Sequence, residues 1–295
     1  MQLNLDNIDS SNTNNSLKGF SQIIQNFDKI NINEIEPITQ NIHENIFEED
    51  LSIIIDEMIN LIFKGLNEGK DEEILKNNII NYINNHKILT PEIYNWLLNN
   101  QYNSNSICLL GYFNYYGIGT IINKQKVIEL YHEATILENS VAQLNLAEMY
   151  IHGEGVDINN DLAFELYEEL ADKEIPNAID KLGYCYEMGI GTVTNWQRAF
   201  ELFQKAADLG NANGMNNLGN CYYNGIGIDI NDYKAFELYQ KAANLDNYLA
   251  QCNLALMYEY GNGIGKNINQ AIYWYNKSAK QGYQYAQNKL KELTA

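Results

Sequence analysis

The glycine-rich segment Gly261-Asn-Gly-Ile-Gly-Lys266 is the part of this chain that looks most like a chemical motif, because glycine-rich loops ending in lysine can cradle phosphates. The nucleotide-binding pattern, however, needs glycine where Tyr260 stands and serine or threonine where Asn267 stands. It also needs a preceding strand, whereas the residues before Gly261 have a helical pattern. We therefore interpret the segment as a turn and predict no cofactor.

The cysteines and histidines also lack the spacing of a chemical site. None of Cys108, Cys185, Cys221 and Cys252 belongs to a Cys-x-x-Cys pair, which argues against zinc and redox chemistry. The histidines have no metal-ligand spacing; they are His43, His86, His132 and His152. Paired carboxylates such as Glu168 and Glu169 fit a solvated helix surface better than a catalytic pair. These residues predict no metal site and no enzyme.

The charge of the chain restricts its partners. It has 38 acidic against 19 basic residues, a net charge of −19, and a single arginine, Arg198. A nucleic-acid binder needs a clustered basic face, so we expect no nucleic-acid partner. The apolar runs are too short for membrane insertion, and the free cysteines suit a reducing compartment, so we predict a cytoplasmic protein.

A period of 36 residues organises the second part of the sequence. The same 36-residue spacing relates leucines, asparagines, alanines and Gly-x-Gly pairs. The glycine pairs begin at Gly117, Gly153, Gly189, Gly225 and Gly261. Within one copy, Leu182 and Tyr186 are four residues apart and share one face of a first helix. The glycine pair can end that helix and reverse the chain, and Asn195 can cap a second helix.

Cys185 and Cys221 occupy equivalent sites in adjacent copies, and we interpret them as small apolar groups on stacked helices rather than a redox pair.

This repeat resembles the Sel-one-like repeat family, a tetratricopeptide-related group that is also called HCP-like. The matching residues in one copy are Ala178, Leu182, Gly183, Tyr186, Gly189, Gly191, Ala199, Ala206, Ala207 and Gly210. The resemblance implies an all-α fold, a right-handed α/α superhelical solenoid of 36-residue helix-turn-helix repeats. It also implies that the first helices line a concave groove and that the chain acts as a scaffold or adaptor. The five predicted repeats are 106–141, 142–177, 178–213, 214–249 and 250–285, followed by a capping helix at 286–295.

The first part of the chain has a different pattern. Residues 1–17 are rich in asparagine and serine and are predicted to be a disordered tail. Residues 18–105 form a predicted N-terminal helical block, in which Thr90 is expected to cap a helix that begins at Pro91. The block resembles a segment that follows kinase-like domains in fungal multigene families. The chain itself has neither a His-Arg-Asp nor an Asp-Phe-Gly triplet of a kinase.

A set of residues is predicted to face the groove, because the tetratricopeptide pattern assigns positions 144, 148, 151 and 152 and their repeats to that side. They are Tyr112, Tyr115, Tyr116, Glu148, Tyr184, Glu187, Met188, Asn216, Asn220, Tyr223, Asn224, Leu256, Glu259 and Tyr260. Amides and aromatic rings suit a peptide backbone, and glutamates favour lysine or arginine, which predicts a neutral to basic peptide or protein partner. The main hypothesis is a non-catalytic adaptor, with a possible place in signalling. A regulatory or separated part of a protein-kinase-type enzyme and a purely architectural spacer stay open, as does the oligomeric state.

Overall fold

The computed structural model describes the backbone of residues 36–294 and the side chains of residues 51–294. Every regular element in this range is an α-helix, which confirms the all-α prediction. The architecture below is that of the compact unit formed by residues 52–295. The tail predicted for residues 1–17 and the helical pattern predicted from Lys18 to residue 35 lie outside the described residues.

Three helices of the described range precede the repeats: α1 (Glu36–Asn67), α2 (Glu72–Asn85) and α3 (Thr90–Asn99). The apolar stripes seen in the sequence are buried, for example Met58 and Ile62 on α1 and Ile79 on α2. The expectation that Thr90 caps α3 is wrong, because the helix begins at Thr90 itself and its N-cap residue is Leu89, which makes no side-chain capping bond. Pro91 lies in the first turn, where the missing N–H is not needed.

Five helix pairs and one final helix form the repeats. The pairs are α4 (Ser104–Tyr116) with α5 (Lys124–Ile136), α6 (Ser140–His152) with α7 (Asn160–Asp172), α8 (Pro176–Met188) with α9 (Trp196–Asp208), α10 (Ala212–Asn224) with α11 (Asp232–Asn244), and α12 (Tyr248–Tyr260) with α13 (Ile268–Lys280). The final helix is α14 (Gln284–Thr294). We call the first helix of each pair helix A and the second helix B. Each helix packs mainly on its neighbours along the chain, as in a solenoid.

The Gly-x-Gly pair ends every helix A. The first glycine is the C-cap residue and takes φ from 67° to 81°, a left-handed conformation that a side chain would strain. The second glycine has a packing reason that the sequence did not suggest. A Cβ at Gly263 would lie 2.6 Å from the carbonyl oxygen of Asp232, at the start of the preceding helix B. The turn of one repeat therefore rests directly on the main chain of the repeat before it.

Asparagine caps both helices of the pairs. Oδ1 of Asn195 accepts from the N–H of Arg198 at 3.0 Å, and Asn231 does the same for Lys234, which confirms the predicted caps of helices B. Most helices A are capped in the same way, which the sequence analysis did not anticipate; their caps are Asn103, Asn139, Asn211 and Asn247. Repeated caps fix where each helix starts and so keep the period constant.

Small residues on helices A let the large rings of helices B approach. Gly219 faces the ring of Tyr239, and an added Cβ would lie 2.7 Å from that ring.

Cys185 and Cys221 are buried and free, and burial raises the pKa of each thiol to about 12. A buried protonated thiol is unreactive, which agrees with their interpretation as packing groups.

Candidate partner-binding groove

A cleft of about 650 Å³ runs along the helices A, and we call this surface the groove. All five helices A contribute residues to its walls, from Tyr116 on α4 to Tyr248 on α12. Further lining comes from residues 66–73, around the turn between α1 and α2, and from Asp246 and Asn247 just before α12. The solenoid thus places side chains of successive repeats on one continuous surface.

Five of the predicted groove residues are exposed. Tyr184, Met188, Tyr223 and Tyr260 have exposed fractions of 41, 58, 37 and 59%, and Asn224 is also exposed. They lie in the C-terminal halves of α8, α10 and α12. We call these exposed aromatic, apolar and amide residues of helices A the tyrosine patch; Tyr184 also lines the cleft itself.

Three predicted tyrosines of the first repeat differ from this group. Tyr112 is buried, with 2% of its surface exposed, so its assignment to an accessible groove is wrong. It lies on α4 against Tyr116, whose ring centroid is 4.5 Å away. Tyr115 and Tyr116 are half-buried and donate hydrogen bonds to Glu154 and Glu72 at 2.7 and 3.2 Å. The first repeat therefore uses its tyrosines for internal contacts.

Glu148 is bound on several sides. Lys181 of the next helix A approaches its carboxylate at 2.5 Å, and the buried hydroxyl of Tyr167 donates to it at 2.7 Å. His152 contacts it at 3.3 Å. Burial alone would raise the pKa of Glu148, but Lys181, His152 and Tyr167 together hold it well below its usual range. Glu148 therefore links two repeats and has little free charge for a partner.

Glu259 plays a similar part at the other end of the array. It accepts from Tyr275 at 2.6 Å and from Lys289 of α14 at 3.0 Å, and its exposed fraction is 9%. Burial would raise the pKa of Glu259, but the bonds from Tyr275 and Lys289 lower it. Glu187 is half-buried and has no ion pair among the described residues, and burial raises the pKa of its carboxyl. Of the three predicted glutamates, only Glu187 keeps its charge free to attract a basic ligand.

Asn216 and Asn220 on α10 are also occupied by internal contacts. Asn220 accepts from the hydroxyl of Tyr239 at 2.8 Å and from Asn253 at 3.3 Å. Asn216 is 3% exposed and accepts from Asn253 at 3.0 Å. Leu256 is half-buried and packs against the core around α12 and α13. These residues support the groove more than they offer free groups to a ligand.

One row of groove residues was missed by sequence reasoning. Position 181 and its equivalents are asparagine or lysine in every copy after the first, which has Leu109; they are Asn145, Lys181, Asn217 and Asn253, with Lys289 in α14. From Lys181 on, each donates to the preceding helix A, as Asn217 does to Asp180 at 2.9 Å, whereas Asn145 donates to the hydroxyl of Tyr131. The signal was present in the 36-residue register, because every copy after the first has a long or amide donor at this position. This row joins the helices A along the floor of the groove.

Asp180 is the most strongly buried carboxyl of the groove, with an exposed fraction of 3%. Burial raises the pKa of Asp180 to about 6, although Lys181 and the bond from Asn217 act in the opposite direction. Ionisation of a buried carboxyl is unfavourable, so Asp180 changes its protonation state at a pH just below neutrality. The charge inside the groove therefore depends on pH in this range.

In the part of the chain that the structure describes, no group of three or more histidine, cysteine and carboxylate side chains could hold a metal ion. Among those same residues, no helix combines the length and the apolar character that crossing a bilayer requires.

Comparison with known proteins agrees with this architecture. The Sel1 repeat model matches residues 104–138, 140–174, 176–211, 212–247 and 249–283, one segment for each helix pair. The chain belongs to the Sel1 repeat family. This confirms the resemblance and the presence of five repeats. Members of the family are generally protein-interaction scaffolds and are typically non-catalytic.

Two solved structures are similar over most of the chain. The Sel1 repeat protein from Oxalobacter formigenes is 29% identical with a TM-score of 0.61, and the match covers 68% of this chain and 81% of that one. The protein c5321, a protective antigen of uropathogenic Escherichia coli with the same type of fold, is 25% identical with a TM-score of 0.58. That match covers 79% of this chain and 50% of the other. A search of curated proteins gives no match.

Proposed function

We propose that this Sel1 repeat protein is a non-catalytic adaptor that binds a protein or peptide partner on the tyrosine patch of the groove. The observation that carries the proposal is the exposure of Tyr184, Met188, Tyr223 and Tyr260 on the helices A of three successive repeats. Tyrosine supplies contact area at a low cost in side-chain entropy and keeps a hydroxyl for hydrogen bonds, which makes it frequent at protein interfaces.

The charges near the patch favour a neutral to basic partner. Glu187 lies beside Tyr184 and Met188 in sequence and has no ion pair in the described part of the chain. The lysines that line the groove are engaged, Lys181 with Glu148 and Lys70 with Glu68, and Lys289 of α14 pairs with Glu259. A lysine or arginine of a partner therefore meets a free carboxylate at this end of the groove. The net charge of −19 adds long-range attraction for such a partner.

The experiment compares two surfaces of the same chain by affinity capture from an extract of the source cells. One variant replaces Tyr184, Tyr223 and Tyr260 by serine. The matched control replaces Tyr233 and Tyr273 by serine, since these tyrosines of helices B are exposed to 60 and 51%. Both variants remove exposed rings, and only the first changes the tyrosine patch.

We expect the patch variant to lose partners that the wild-type chain and the helix B control retain. Circular dichroism melting should give similar curves for all three chains, because every replaced side chain is exposed. If the patch variant captures the same proteins as wild type while the helix B variant loses them, the binding surface is on helices B.

A further inference from the structure

The turn between α1 and α2 enters the middle of the groove and is bound there through its main chain. The carbonyl of Leu66 accepts from the side-chain amide of Asn177 at 3.0 Å, and the carbonyl of Asn67 accepts from that of Asn211 at 3.0 Å. The carbonyl of Glu68 accepts from the backbone N–H of Ala212 at 3.1 Å. Three successive carbonyls at the end of α1 therefore meet donors at the beginnings of α8 and α10.

This arrangement is electrostatically favourable. The C-terminal end of a helix carries partial negative charge on its free carbonyls, and N-terminal ends carry partial positive charge on their free N–H groups. Gly69 fits so closely that a Cβ would lie 2.8 Å from the backbone nitrogen of Asn213. The turn is thus seated against α10 as a ligand would be.

The two clamping asparagines have a different partner in the other repeats. The amide of Asn139 donates to Asn105 at 2.9 Å, and that of Asn247 donates to Asn213 at 2.6 Å. In both pairs the two residues are 34 positions apart (139−105 and 247−213), as are Asn177 and Asn211 (211−177). Asn177 and Asn211, however, do not bond to each other. Their side-chain amides bond to the α1–α2 turn instead.

This comparison suggests what happens when the turn leaves. The side-chain amide of Asn211 can then donate to Oδ1 of Asn177, as its equivalents do, so that this amide keeps a hydrogen bond. A buried donor without a partner is expensive, and here the alternative acceptor removes that expense for Asn211, which is fully buried. The amide of Asn177 lines the groove and is then open to water or to a partner.

We propose that the α1–α2 turn is a reversible internal ligand of the groove, held by Asn177 and Asn211 and released when these two residues pair with each other. In the docked state, the turn covers the middle of the groove and leaves the tyrosine patch open. In the released state, the main-chain N–H groups of Asn177 and Ala212 are free for the backbone of a partner. The binding of a partner to these released groups rests on the proposed function, whereas the equilibrium between the docked and the released turn does not.

The amide of Ala212 reports on docking without any partner. It is the first residue of α10, and its N–H has no acceptor within the helix, so only the turn protects it. The equivalent amide of Tyr248 begins α12 and has no acceptor among the described residues. Hydrogen exchange of the full chain, followed by NMR, should show Ala212 protected on the order of 10- to 1000-fold over Tyr248, well below the protection of core amides.

Two variants with matched controls complete the test. Gly69→Val has no space in the docked turn and should abolish the protection of Ala212. Gly282 also has a positive φ but no neighbour within 4 Å, so Gly282→Val should leave that protection unchanged. Asn211→Asp keeps the helix cap but loses the amide donor, and Asn247→Asp makes the same change away from the turn.

Three results would overturn the proposal. If Ala212 exchanges as fast as Tyr248 in the wild-type chain, the turn is not docked. If it exchanges as slowly as core amides, the turn is a fixed part of the fold. If Gly69→Val leaves its protection unchanged, the protection has another cause. None of these results depends on the tyrosine patch, so they can be separated from a failure of the proposed function.

Discussion

Replacing Asn220 by alanine should destabilise the fourth helix pair, although Asn220 was predicted from sequence to be a groove residue. The hydroxyl of Tyr239 donates to Asn220 at 2.8 Å, and Tyr239 is only 3% exposed. Asn220→Ala leaves this hydroxyl without its acceptor in a place that water barely reaches. The expected loss is about 1–3 kcal/mol of unfolding free energy.

The preceding repeat of the same chain lacks both members of the Tyr239–Asn220 hydrogen bond. The residue equivalent to Tyr239 in the preceding repeat is Phe203, and the residue equivalent to Asn220 is Tyr184, which is exposed. A repeat without the hydroxyl therefore needs no acceptor. Tyr239→Phe alone should cost about 1 kcal/mol, because Asn220 still accepts from Asn253.

The double variant Asn220→Ala with Tyr239→Phe tests the reasoning most sharply. It should cost less than the sum of the two single variants, with a coupling on the order of 1 kcal/mol. Hydrogen exchange of core amides in α10 and α11 is the suitable assay, because repeats need not unfold in a single step. Strict additivity, or an Asn220→Ala variant as stable as wild type, would refute the proposed role of this bond.

The remaining predictions concern a cap, a buried acid and a half-buried ring. Asn231→Ala should cost about 1 kcal/mol in urea unfolding while Asn231→Asp is tolerated, because both asparagine and aspartate accept from the N–H of Lys234; equal losses would contradict capping. Asp180 has a pKa raised from 3.8 to about 6, so the wild-type chain should lose stability as the pH rises from about 4 to about 6. Asp180→Asn should remove this loss and stabilise the chain at pH 7 by up to about 3 kcal/mol, and an unchanged pH profile would be inconsistent with the burial of that carboxyl. Tyr222→Ala should cost less than the roughly 3–5 kcal/mol of a fully buried ring, since Tyr222 is half-buried and packs edge-on against Phe200; exchange should rise mainly in α10 and its neighbours.

The repeat could be predicted from the sequence because each of its rules is local. A glycine with positive φ at Gly189 and a cap at Asn195 depend on a few neighbouring residues, and the fivefold repetition makes such rules easy to recognise. The interpretation of Cys185 and Cys221 as packing groups depended on helix spacing, which is also a general property. An equally local rule failed at Thr90, because the helix begins one residue earlier than predicted and Leu89 is its N-cap residue.

The contacts of the groove could not be predicted in the same way. A periodic pattern gives the face on which Glu148 or Asn220 lies, but the contact that each makes depends on the residue 33 positions further on and on the ring behind it (Lys181, 181−148, and Asn253, 253−220). Tyr112 is buried because the first repeat is preceded by other helices, which the repeat pattern does not describe. The docking of the α1–α2 turn joins residues more than 100 positions apart, such as Leu66 and Asn177, and no local rule indicates it.

The central claim is that a partner binds the groove through the tyrosine patch. The most direct measurement places a photo-crosslinking amino acid at Tyr223 in one chain and at Tyr233 in another, both in the source cells. These two residues belong to the same helix pair, on helix A and helix B, and both are exposed. We expect a specific crosslinked protein from Tyr223 and none from Tyr233. A crosslink from Tyr233 alone would contradict it and place the partner on helices B.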